Sequence, residues 1–181
     1  ATSAEAIADR RWLGCRPNSG PGHTSAMHRN VETVIAAAGE KGLAIEPRPF
    51  PEGTKTAQDA AAAIGVEVGQ IVKSLVFLVD GAPVMALVPG DRRLDESLLA
   101  EAVGGSVVER PDADAVRDAV GFPIGGVPPI GHALPVYIDR GLLAYDEVWA
   151  AAGTWTDVFA VAPDDLLRIT SATLCPLSET E

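Results

Sequence analysis

Apolar positions along the chain change period several times, and each change marks an element. From Met27 onward Val31, Val34, Ile35 and Ala38 recur at helical spacing and stop at Gly39 or Gly42, which predicts an amphipathic helix. Leu43 to Arg48 alternates like a strand before the prolines at 47, 49 and 51. Thr56 is placed to N-cap a second helix, with Asp59 in its first turn, Ala60 to Ile64 filling it and Gly65 ending it. A short turn then carries Val68 to Val72 into a strand that holds Lys73.

Leu75 to Val79 and Val84 to Val88 flank Asp80-Gly81-Ala82-Pro83 and read as a hairpin in which the Asp-Gly pair makes the turn. Leu94, Leu98, Leu99, Ala102 and Val103 predict another helix, closed by Gly104-Gly105, and Asp112 to Val120 predicts one more. Strands follow at Leu134 to Asp139, Val148 to Ala152 and Asp157 to Val161, then a short helix opened by Pro163-Asp164. Helices mixed irregularly with strands and a hairpin indicate an α+β fold with a mixed sheet rather than a repeating βαβ wind.

Length and composition narrow the class. The 181 residues with 47% hydrophobic content suit a single domain with a sizeable core. Residues 1–26 are rich in Arg, Gly, Pro and Ser and lack an apolar period, so they read as an extension, a processed leader or an expression artefact, and the folded domain is expected over 27–181. That segment lacks the apolar core of a secretory signal, and no apolar run reaches the ~20 residues of a membrane span. Cys15 and Cys175 stand near opposite ends without the spacing of a metal site or a disulfide framework. A cytoplasmic protein without metal or cofactor is expected.

The formal net charge of −11 argues against a broad electrostatic grip on nucleic acid. Arg92-Arg93, beside the Gly90-Asp91 turn, are local cations that could serve a protein touching only the end of an RNA. The acid excess otherwise reads as a solvated surface.

Two stretches carry candidate chemistry. Gly121 to His132, GFPIGGVPPIGH, joins Gly125-Gly126 to Pro128-Pro129. Glycine removes the Cβ that keeps a ligand off the backbone and proline stiffens the chain, so bare amides here can bind a carbonyl or a developing oxyanion. Lys73 is a cation in an apolar run; it either snorkels at the core edge or serves a cleft.

Together these stretches resemble the YbaK/EbsC family of aminoacyl-tRNA editing domains, which includes the editing domain of bacterial prolyl-tRNA synthetases and free-standing relatives. The likeness runs from about Val31 to Leu177. It is carried by TAQDAAAAIGV (56–66), QIVKSLVFLVDGAPVMALVPGDRRLD (70–95), GFPIGGVPPIG (121–131) and LPVYIDRGLLAYDEVWAAAG (134–153). The family's G-x-x-x-P loop maps onto Gly125 to Pro129 and its lysine onto Lys73.

The resemblance implies a single domain with a largely antiparallel sheet and flanking helices. It also implies a trans-editing hydrolase for mischarged tRNA, with tRNA for proline as partner and transient contact with a synthetase. Lys73, Gly125 and Gly126 would carry the chemistry, Lys73 as an anchor for a phosphate or carbonyl oxygen. Phe50, Thr56, Ser74, Val127, Pro128, Pro129, His132, Ala151 and Gly153 would contact substrate. The terminal adenosine's hydroxyl, or a substrate thiol, would supply part of the chemistry, in keeping with the absence of a triad. Where some cysteine-editing relatives have a serine, this chain reads Ala150-Ala151-Ala152-Gly153, so that hydroxyl contact is lost. Two other readings stand beside the hydrolase: a non-catalytic aminoacyl-tRNA or synthetase-binding module of the same fold, and a metabolite esterase.

Overall fold

The computed structural model describes residues 28–50 and 56–178. The expectations for residues 1–26 lie outside this range. Helix α1 (Arg29–Glu40) buries Val31, Val34 and Ala38, as its period predicts. The strand expected over Leu43 to Arg48 shrinks to the two-residue β1 (Arg48–Pro49). Pro47 and Pro49 have no N–H to donate, so an extended segment here cannot build a longer ladder.

Helix α2 (Ala57–Ile64) starts from a reciprocal cap: Thr56 Oγ1 accepts from the Asp59 amide and Asp59 Oδ2 accepts from the Thr56 amide, both at 3.1 Å. After a 3₁₀ turn over Val68–Gln70 come β2 (Val72–Val79) and β3 (Ala82–Pro89), paired antiparallel in full register from Val72↔Pro89 to Val79↔Ala82. Asp80 and Gly81 both have positive φ, 49° and 82°, the requirement of a two-residue type I′ hairpin.

Helix α3 (Glu96–Val103) is capped by Asp95, and α4 (Ala113–Val120) by Asp112. Between them β4 (Val108–Glu109) pairs with Leu78 and Val79. Its signal is too short to read from periodicity; the Asp80 carboxylate holds its approach by accepting from the amides of Ser106 and Val107. The chain ends with β5 (Val136–Asp139), a 3₁₀ turn at Arg140–Ala144, β6 (Val148–Ala151), β7 (Asp157–Val161), α5 (Pro163–Thr170) and β8 (Thr173–Cys175).

The strands form a five-stranded sheet in the order β4-β2-β3-β5-β8 and a three-stranded sheet in the order β1-β7-β6. Contacts β3–β5 and β5–β8 are parallel, the other pairs antiparallel, so the fold is α+β with a largely antiparallel framework. Strand β3 is buried on both faces. Met85 and Leu87 enter the main core with Ile138 and Phe159, whereas Val84, Ala86 and Val88 pack with Phe77, Leu99 and Leu177 in a second cluster. That two-sided burial explains its unbroken apolar run.

Asp139 is buried at 1% exposure and fully satisfied. Its carboxylate accepts from the amides of Gly141 and Leu177 and from Ser178 Oγ, and lies 3.7 Å from Arg92. The two sheets meet where Ile71, just before β2, bridges to Trp149 of β6. The candidate site opens at this seam.

Candidate active site

Two recesses share one rim. The first, about 350 Å³, is lined by Phe50, Thr56, Ala57, Ala60, Ile71, Trp149, Ala151 and Val158, with the Thr154-Trp155 turn at its mouth. The second, about 300 Å³, is lined by Phe77, Arg93, Leu94, Arg110 and Pro111. Lys73, Ser74, Leu75, Ile124, Gly125 and Val127 border both. One branch is apolar and the other carries two arginines.

Strand β2 supplies Lys73 and Ser74 to the rim. Lys73 Nζ donates to the Arg92 carbonyl, which ties the ammonium to the loop between β3 and α3. Burial pushes the Lys73 ammonium below the ordinary lysine range; Arg93 pushes the same way and Asp91 opposes. Ser74 Oγ is buried and has no hydrogen-bond partner among the described residues. An orphan buried hydroxyl costs about 1–3 kcal/mol, and this one stands where the branches join. Trp149 Nε1, in the apolar branch, is a second buried polar atom without a partner among the described residues.

The glycine loop divides differently from the sequence expectation. Pro123 to Gly126 is a β-turn closed by the Gly126 amide donating to the Pro123 carbonyl at 3.0 Å. Gly125 has φ +87°, the value a type II turn demands at its third residue. The Gly126 N–H is thus engaged within the turn, whereas the expectation had it facing a substrate. Its missing side chain serves packing instead: a Cβ there would lie 2.7 Å from the Thr154 carbonyl carbon. The Gly125 N–H has no partner among the described residues.

Thus Lys73, Gly125, Phe50, Thr56, Ser74, Val127 and Ala151 line the cleft. Pro128 and Pro129 are buried and do not. His132 lies with Pro129 in a groove against α1; its Nδ1 accepts from the Leu134 amide at 3.3 Å. Burial holds its imidazole below the usual range, and the Pro128 and Pro129 carbonyls oppose this. Gly153, at φ +97°, turns toward α1, where its carbonyl accepts from Asn30 Nδ2 at 2.9 Å. Gly153, His132 and the two prolines thus lie away from the recess that Lys73 and Gly125 border: the Gly-Pro loop has two sides, and spacing alone does not say which residue faces which.

Sequence reasoning passed over Trp149, Trp155 and Arg110. The alternation of β6 could have placed Trp149, but Arg110 and Trp155 reach the cleft only through tertiary placement of an edge strand and a hairpin turn. Among the described residues no group of three His, Cys, Asp or Glu could hold a metal ion, and no helix is long and apolar enough to cross a membrane.

Residues 51–169 match the family model of the aminoacyl-tRNA editing domain, and the chain belongs to that family. It is 34% identical over 160 residues to the proline–tRNA ligase of Maridesulfovibrio salexigens, covering 79% of this chain and 27% of that enzyme. With the proline–tRNA ligase of a Geobacter species the identity is 36% over 113 residues, 60% of this chain and 20% of the enzyme. The chain thus spans about a quarter or less of the length of these curated relatives. A crystallised candidate trans-editing enzyme for prolyl tRNA synthetase shares 41% identity and superposes with a TM-score of 0.81, covering 86% of this chain and 100% of that one.

Proposed function

We propose that the chain is a deacylase acting in trans on tRNA that carries a small non-cognate amino acid, with tRNA for proline as the carrier. The observation that carries this reading is the two-branched site with a common polar rim. An aminoacylated 3′ end is a two-part molecule, a side chain and a phosphate-bearing nucleotide joined by an ester. The apolar branch suits the side chain, the arginine branch suits the nucleotide phosphate, and the ester then falls beside Lys73, Ser74 and Gly125. Arg93 makes no ion pair or hydrogen bond among the described residues, whereas Arg110 is held by Glu96 and lies over Phe77.

Among the described residues no base stands against the Ser74 hydroxyl, so it is not an activated nucleophile. Water is the attacking group. It adds to the ester carbonyl, the oxyanion is met by the Gly125 N–H, and the carbon–oxygen bond to the ribose breaks, leaving a free amino acid and a tRNA with its hydroxyl restored. One proton of the water ends on the departing ribose oxygen, relayed by the neighbouring ribose hydroxyl, as the family resemblance implies. The Lys73 ammonium anchors a substrate oxygen. This work belongs in the cytoplasm, where charged tRNA is found, with a synthetase as transient neighbour.

A panel of tRNAs charged with alanine, cysteine, serine, threonine and 2-aminobutyrate tests the proposal. Release of one or more small amino acids, with cognate prolyl-tRNA spared, is expected. Saturable binding without release would replace it with a binding module, and hydrolysis of small free esters alone would make the protein an esterase unrelated to tRNA.

A further inference from the structure

We infer that Trp155 is a positioning residue: it sets the plane of the Ile124–Gly125 peptide and so aims the Gly125 N–H at the reacting carbonyl. The inference rests on the deacylase reading above. Trp155 Nε1 donates to the Ile124 carbonyl at 2.6 Å, and that carbonyl belongs to the same planar unit as the Gly125 amide. In a trans peptide the C=O and N–H point in opposite directions. Fixing one fixes the other.

The choice matters because this turn has two nearby forms. Types I and II differ chiefly by rotating the central peptide through about half a turn, with φ of the third residue near −90° in one and +80° in the other. Glycine adopts both, so Gly125 alone does not decide which side of the loop bears its N–H. The indole bond is made by the form with Gly125 at φ +87°. The ring also lies 3.2 Å from where a Cβ of Gly125 would stand, so it packs against the turn as well as bonding to it.

Trp155 itself is held. It sits in the turn between β6 and β7, where Thr154 Oγ1 donates to Asp157 Oδ2 and accepts from the amides of Thr156 and Asp157. The Ala152 amide closes the turn onto the Asp157 carbonyl at 2.8 Å. Yet Trp155 is 68% exposed, and an indole left mostly in water contributes little burial to the fold. Its place is explained by the bond it makes to the glycine turn.

Trp155→Phe keeps a ring against Gly125 and deletes the donor. Against the preferred mischarged tRNA, kcat is expected to fall about 10- to 100-fold, short of the 100- to 1000-fold of a lost oxyanion donor, with KM and melting temperature nearly unchanged. Assays are run well below the variant's melting point, so that partial unfolding does not enter the rate. An unchanged kcat, or a raised KM with kcat preserved, would overturn the inference and leave Trp155 a cleft wall. The nuclear Overhauser effect between Ile124 Hα and the Gly125 N–H, strong in a type II turn and weak in a type I turn, gives an independent reading: it is expected to weaken in the variant, and an unchanged one would also overturn the inference. If the parent protein hydrolyses no mischarged tRNA, the deacylase reading fails with the aiming role, while the Overhauser effect still decides whether Trp155 fixes the peptide.

Discussion

The Lys73 ammonium donates to the backbone carbonyl of Arg92, so the cation at the centre of the cleft is leashed to the loop that also carries Arg93. A lysine aimed in this way contributes both charge and location. Lys73→Ala is expected to remove a charge-assisted contact of roughly 1.5–3 kcal/mol, which lowers kcat/KM about 10- to 150-fold. Single-turnover and steady-state deacylation measure it; a variant as active as the parent would reduce Lys73 to a snorkelling residue at the core edge.

Arg93 should behave otherwise. It is exposed and unpaired among the described residues, so Arg93→Gln costs little stability. If it meets a phosphate, the slope of log affinity for tRNA against log salt becomes shallower by about one. Titrations at several salt concentrations check this, and parallel lines for parent and variant would place the phosphate elsewhere.

The adjacent glycines give opposite expectations. Gly125→Ala puts a Cβ at φ +87°, with a strain of about 1–2 kcal/mol, and it disturbs the exposed donor, so the single-turnover rate should drop about 100- to 1000-fold. Gly126→Ala drives a Cβ to within 2.7–2.9 Å of the Thr154 backbone and should mainly lower the melting temperature, by overpacking of about 1–3 kcal/mol. Melting and rate measured on both proteins separate the two roles. A Gly125 variant that is destabilised yet hydrolyses at the parental rate would make the loop architecture alone.

His132 should supply a pH signature in folding stability. Burial holds its folded-state pKa below the ordinary 6.5, so the unfolded chain binds the proton first as pH falls. The stability it contributes is full above about pH 6.5, declines below that value and levels off once the folded imidazole also protonates. Urea melts across this window should show the decline, and His132→Gln should flatten it. A His132 variant with parental slope would mean that other groups carry it.

Much of the framework was legible because it rests on local rules. The Thr56–Asp59 cap, the Asp80-Gly81 turn and the periods of α1 and α4 are short-range signals, and each appears where its residues predict. Leu43 to Arg48 misled because alternation indicates an extended chain but not whether amides are free to pair. Strands β4 and β8 went unread because two or three residues carry no period. Lys73, Ser74 and Gly125, singled out by their motifs, come together at the border of both recesses. The surroundings of Gly126, His132 and Gly153 were not legible, because the direction of an amide or an imidazole depends on turn type and on what packs opposite. Trp155 was invisible for the same reason: its partner, Ile124, is 31 positions away.

The Ile71–Trp149 bridge separates two kinds of change. Lys73 and Ser74 are borne by the larger sheet, while Trp149, Ala151 and Val158 belong to the smaller one. A substitution on β6 or β7 can reshape the apolar recess without breaking any rung of the ladder that holds the lysine. The architecture is modular across this seam: under the deacylase reading, the set of side chains admitted can be altered from the smaller sheet while Lys73 and Ser74 keep their places on the larger one.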